Sequence, residues 1–155
     1  MRHRRHHGRF GYASDRPGSQ RIPQGFGLLF PKELEQLHAR GDRADFIGVI
    51  ANAPAAEAAA ALQSRGKQAG VEAAVVNLSS LMLKLPVLTD LWRSDHAVFW
   101  EHGYPAVLLT DTADFRNPYY HCGQGPDVPE HLDLGFMTRV VRATVGAAGD
   151  LLQKR

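Results

Sequence analysis

Three observations predict an α/β fold with a largely parallel β-sheet. Apolar runs of strand length recur along the chain, stretches with helical spacing separate them, and Gly, Pro or Asn marks the junctions. A strand, a helix and a second strand in succession return by a right-handed crossover, which lays the two strands parallel. The 155 residues are enough for one domain that buries roughly two-thirds of its unfolded surface.

Residues 10–30 are rich in Gly, Pro, Ser and Arg and read as loop, with Asp15-Arg16-Pro17-Gly18 as a turn. A helix follows. Pro31 suits its first position, where no intrahelical hydrogen bond is lost, Leu34 and Leu37 share a face, and Gly41 stops it. Asp45 to Ala51 (DFIGVIA) is a strand, and Asn52 stands where it can cap the Ala-rich helix that ends near Gly66 or Gly70. Val71 to Leu78 is a second strand, and Pro86 divides Leu81 to Trp92 into a loop and a short helix.

Ser94 can cap a short helix that Gly103 terminates, with Pro105 beyond it. Ala106 to Leu109 is an unbroken apolar run, as expected of a strand covered on both faces. Trp92, Phe99 and Trp100 are expected in the core. The last helix starts at an Asp133 cap, and Met137, Val140, Val141, Thr144, Val145, Ala148, Leu151 and Leu152 follow the spacing of one buried face. Three strands, near 45–51, 71–78 and 105–111, make a thin sheet with open edges. An uncovered apolar face on such a sheet favours a partner or self-association.

The loop after the third strand holds Asp111, Asp114, Arg116, Tyr119, Tyr120 and His121. Open α/β sheets keep ligand sites at the carboxyl ends of their strands, so this loop is the functional candidate. Ser94-Asp95-His96 has two readings: part of a cleft wall, or a helix cap with an acidic residue in the first turn. Asp111, Asp114 and Arg116 likewise either serve a ligand or hold the loop together.

Composition excludes several classes. Four arginines within the first nine residues outweigh the net charge of +2, so the basic character belongs to a tail, residues 1–10, and the rest is net acidic. That His/Arg-rich tail reads as a disordered start. No aromatic stacking residues accompany it, so nucleic acid is not the expected partner. No apolar run approaches the roughly 20 residues of a membrane helix, and the start lacks the apolar core of a secretion signal. A membrane partner is not expected, and a cytoplasmic location is. The one cysteine, Cys122, cannot form an internal disulfide.

The segments RSDHAVFWEHGYPAVLLTDTADFRNPYYH and LDLGFMTRVVRATV resemble the C-terminal part of the bacterial zinc aminopeptidase family. That family includes aminopeptidase S and the leucyl aminopeptidases and is distantly related to glutaminyl cyclases. GYASDRPGSQRIPQGFGLLFP resembles its middle region, so the likeness spans roughly residues 11–152. The resemblance implies a three-layer sandwich around a larger sheet, of which this chain, residues 11–155, is the later portion. It also implies zinc as cofactor, a peptide as substrate, His121 as a zinc ligand and Tyr120 as the phenol that steadies the oxyanion. Ser94, Asp95, His96, Asp111, Arg116 and Asp127 would line the cleft or support it.

Paired-zinc hydrolysis needs two metals roughly 3.5–4 Å apart, a bridging carboxylate and a general base. The family supplies these, in chain order, as His-x-Asp, Glu-Glu, a single acidic ligand and finally Tyr-His. Only Tyr120-His121 matches here. No Glu-Glu occurs, and the one His-x-Asp, His131-Leu132-Asp133, comes after Tyr-His. The residues before Gly11-Tyr12 read His7-Gly8-Arg9-Phe10, without the acidic ligand. Cys122-Gly-Gln-Gly-Pro also lengthens the path from His121 to Asp127. Catalytic zinc takes about three protein ligands, so one imidazole does not hold it. Three readings follow: an incomplete aminopeptidase inactive alone, an enzyme whose ligands come from a complementing chain or another copy, or a peptide-binding module without catalysis.

Overall fold

The computed structural model describes residues 11–153, and the expected tail at 1–10 lies outside them. Three strands form one sheet: β1 (Phe46–Asn52), β2 (Glu72–Leu78) and β3 (Val107–Thr110), in the order β2-β1-β3. β1 is central, and all its positions but Ile50 are buried. Its helices are α1 (Phe26–Leu29), α2 (Pro31–Ala39), α3 (Ala56–Ala69), α4 (His96–Glu101) and α5 (Leu134–Gln153). None among the described residues is long and apolar enough to cross a membrane.

The fold is mixed α/β, but the sheet is mixed where a largely parallel one was expected. β1 and β2 pair in parallel around the α3 crossover, whereas β3 runs antiparallel to β1. The cause is one side chain. Asn52, at the end of β1, donates from Nδ2 to Tyr104 O (2.8 Å) and accepts from Ala106 N at Oδ1 (3.1 Å). The entry to β3 is thereby pinned beside the exit of β1, with Val107 opposite Ala51, and the strand can only run back toward Thr110 opposite Gly48. Asn52 therefore does not cap the following helix, for which it was expected.

Alternation divides the sheet's residues between two faces. Ile47, Val49, Ala51 and Ala73 pack against Ala59 and Leu62 of α3 and against Phe136, Val140, Ala143 and Ala147 of α5. On the other face, Val76 and Leu78 meet Phe30, Leu88 and Trp100. A small residue lets α3 lie close to the residue that leads into β2. A Cβ on Gly66 would stand 2.9 Å from Val71 O.

Several local expectations hold. Pro31 opens α2, Gly70 and Gly103 adopt φ of 75° at helix ends, and Asp133 Oδ1 accepts from Phe136 N (2.8 Å) at the start of α5. Pro86 divides the apolar stretch before α4, as two 3₁₀ segments, Met82–Lys84 and Pro86–Trp92. Others do not. Residues 26–29 form a helical turn instead of loop. α4 starts one residue beyond Asp95, so Ser94 makes no side-chain cap, although its carbonyl accepts from Ala97 N. Phe99 is exposed, while Trp100 is buried and donates to Ala106 O (3.0 Å).

The buried face of α5 is rotated from the expected one. Phe136, Val140, Ala143 and Ala147 point inward, whereas Val141, Val145 and Leu152 are exposed, Val145 by 67%. This helix is apolar on more than one side, and the small side chains of Ala143 and Ala147 permit the closer approach to α3. Arg65 of α3 then reaches Asp150 of α5 as an ion pair.

Candidate functional site

Because β3 is antiparallel, the loop that follows it lies at the start of β1 and not at the carboxyl ends of β1 and β2. The rule that placed ligands after parallel strands therefore does not apply to it. Asp111 is buried and fully engaged with backbone: Oδ2 accepts from Gly11 N (3.0 Å) and Tyr12 N (3.1 Å), and Oδ1 from Ala113 N (3.1 Å). Thr112 and Ala113 both take left-handed backbone, at φ of 65° and 49°. Such non-glycine residues cost about 1–3 kcal/mol each, and the Asp111 carboxylate and the Thr110 hydroxyl hold the turn against that strain.

Arg116 is the centre of this loop. It is 4% exposed, and its guanidinium lies over the Phe46 ring, 4.5 Å from the centroid. Nε donates to Gln20 Oε1 (3.1 Å) and Thr112 Oγ1 (3.0 Å), and Nη1 to Ala44 O (3.2 Å) and Phe46 O (2.8 Å). Burial lowers its pKa to about 10, against the attraction of Asp111 and Asp45, so it remains a cation at neutral pH.

Tyr120 and His121 lie in a short 3₁₀ turn, Tyr120–Cys122, with ring centroids 4.1 Å apart. His121 and Cys122 are exposed, and both have left-handed φ, 53° and 63°. Tyr120 is half-buried and shares a cavity of about 510 Å³ with Ser94, His96 and Asp114. The floor of that cavity is the second face of the sheet, Gly48, Ile50, Ala74, Val76 and Leu108, and Phe26 and Phe30 stand on its wall.

The expected residues thus divide. Ser94, His96 and Tyr120 come together at the cavity, Asp111 and Arg116 brace the loop behind it, Asp95 is exposed, and Asp127 is half-buried. Among the described residues no group of three or more His, Cys, Asp or Glu could hold a metal. The donor set present does not fit a two-zinc centre. Gln20, buried and bonded to both Thr112 and Arg116, went unforeseen, because nothing distinguishes it within a Gly/Pro/Ser-rich loop.

His96 is buried against Trp100, with ring centroids 4.2 Å apart, and its Nε2 lies 2.6 Å from Leu91 O. A carbonyl only accepts, so Nε2 carries the proton and Nδ1 is a bare, buried lone pair without a partner. Burial lowers the His96 pKa from the ordinary 6.5, although Leu91 O and the Asp95 charge oppose it. The unfolded chain therefore binds a proton that the folded chain refuses. Stability from this group is complete above 6.5 and declines as pH falls below it. Urea melts are expected to show this decline, and His96→Gln to flatten it.

No family model matches the chain, and no solved structure matches it. Over 140 residues the chain is 31% identical to an Escherichia coli (strain K12) protein described as "Uncharacterized protein YfbL". The match covers 87% of this chain and 37% of that protein, so the chain spans well under half of the relative's length.

Proposed function

We propose that this chain is the later portion of a zinc aminopeptidase-like domain, an incomplete three-layer sandwich, and that it does not hydrolyse peptides by itself. The observation that carries this reading is Tyr120-His121 on a braced loop beside a preformed cavity, with no group of three or more His, Cys, Asp or Glu among the described residues placed to hold a metal. Zinc pairs of this kind polarise the scissile carbonyl and supply an activated water. In this chain His121 is offered as one ligand and Tyr120 as a hydrogen-bond donor to the tetrahedral oxyanion. The remaining ligands and the general base would be supplied in trans, by a complementing chain or by another copy. Ser94 and His96 would flank the peptide substrate in the cavity.

A second reading, a peptide-binding module without catalysis, draws on the cavity itself. Its volume lies within the range of about 300–1,000 Å³ usual for ligand pockets, and its floor is apolar. The two readings separate when the chain is combined with a polypeptide that carries the His-x-Asp and Glu-Glu segments. The mixture is expected to release the amine from an aminoacyl anilide, and His121→Ala to abolish that release. Unchanged turnover in the His121→Ala mixture rejects the assignment.

A further inference from the structure

A second depression, of about 690 Å³, is formed by residues 12–21 and the Arg116 loop. Tyr12, Ser14, Arg16, Arg21, Arg116 and Tyr119 line it, and Asp15 is the one carboxylate in its wall. Arg21 and Tyr119 are held in place, Arg21 through a bond to Asp114 O and Tyr119 by stacking on His131 at 3.8 Å. Three arginines thus stand in its wall against one carboxylate.

Arg116 carries the argument. A buried guanidinium has five N–H donors, and the Nε and Nη1 donors are taken by neutral acceptors only. Nη2 is buried without a partner. The two carboxylates whose charge it feels are engaged elsewhere: Asp111 on backbone N–H groups, Asp45 on Arg40 at 2.7 Å. Buried cations are normally paired, and the N–H groups of Nη2, which meet no protein acceptor, would be satisfied by a carboxylate oxygen in a charge-assisted bond. Of the two cavities described above, Arg116 lines only this one.

We propose that this depression is a carboxylate-binding site, with Arg116 Nη2 as its innermost donor and Arg16 and Arg21 as the surrounding positive charge. The carboxylate is either the free C-terminus of a peptide or an acidic side chain. This inference stands without zinc or hydrolysis, so it fails or survives independently of the peptidase reading.

Calorimetric titration of the full chain tests it with four probes: N-acetyl-dialanine, its C-terminal amide, N-acetyl-glutamate α-amide, and inorganic sulfate. At least one carboxylate is expected to bind about tenfold or more tighter than the neutral amide and tighter than sulfate. Preference for acetyl-dialanine identifies a peptide terminus, and preference for the glutamate derivative an acidic side chain. Arg16→Ala, at an exposed position, is expected to weaken binding severalfold without changing the melting of the unliganded chain. Arg116→Lys keeps the charge, loses the Nη2 donor and is expected to weaken it further. Equal binding of the amide, no binding of either carboxylate, tighter binding of sulfate, or unchanged affinity in Arg16→Ala overturns the proposal.

Discussion

Replacing Arg116 by Met is expected to destabilise the fold by about 3–5 kcal/mol, because four hydrogen bonds from a charged donor, about 1.5–3 kcal/mol each, are lost and relief from burying the guanidinium offsets only part of that. The substitution keeps most of the contact with the Phe46 ring and removes every donor. Gln20 Oε1 still accepts from Thr112 Oγ1 (2.9 Å) and Ala44 O from Ser14 N (2.9 Å), so the cost is that of the lost charged bonds and not of acceptors left wholly unmade. The lost bonds join the loop after β3 to residue 20 and to the start of β1, so the damage is to tertiary structure. Urea unfolding measures it. A loss below 1 kcal/mol would mean that the network contributes little and that the loop is held by Asp111 alone.

Phe136→Ala is expected to cost a similar amount, about 3–5 kcal/mol, through a different cause. Phe136 is 0% exposed and is the largest of the fully buried side chains, between α3 and the first face of the sheet. The cavity left behind is walled by strands and by Ala- and Gly-rich helix, which have few long side chains to fill it. Val145→Ala, on the same helix but 67% exposed, serves as the comparison and should lie within about 0.5 kcal/mol of the parent. Equal losses at the two positions would contradict the packing face described here, and losses reversed between them would restore the face expected from spacing alone.

That contrast shows which features were legible in the sequence. Signals that act within a few residues were read correctly: Pro31 at a helix start, Gly70 and Gly103 at helix ends, Asp133 as a cap, Pro86 as a break, and the three apolar strand cores. Features decided by distant contacts were not. The hand-off from β1 to β3 depends on Asn52 reaching Tyr104 and Ala106, and that contact selects the antiparallel pairing. The Gln20–Arg116 bond joins residues 96 apart, and no local pattern marks either as a partner of the other. On α5 the period of 3.6 fitted two faces, and only the need to approach α3 closely chose between them.

The candidate site divides in the same way. Tyr120, His121, Ser94 and His96 were named from short motifs, and Ser94, His96 and Tyr120 share one cavity. The brace behind them, Asp111 on the backbone of Gly11 and Tyr12 with Arg116 on residues 20, 44 and 46, required the fold.

The most direct test of the account is the zinc content of the purified chain after saturation with zinc and dialysis, assayed together with release from an aminoacyl anilide. One imidazole donor predicts no stoichiometric metal and no turnover by the chain alone. One or two tightly held zinc ions per chain with measurable hydrolysis would contradict it, and would make the chain a complete enzyme in its own right.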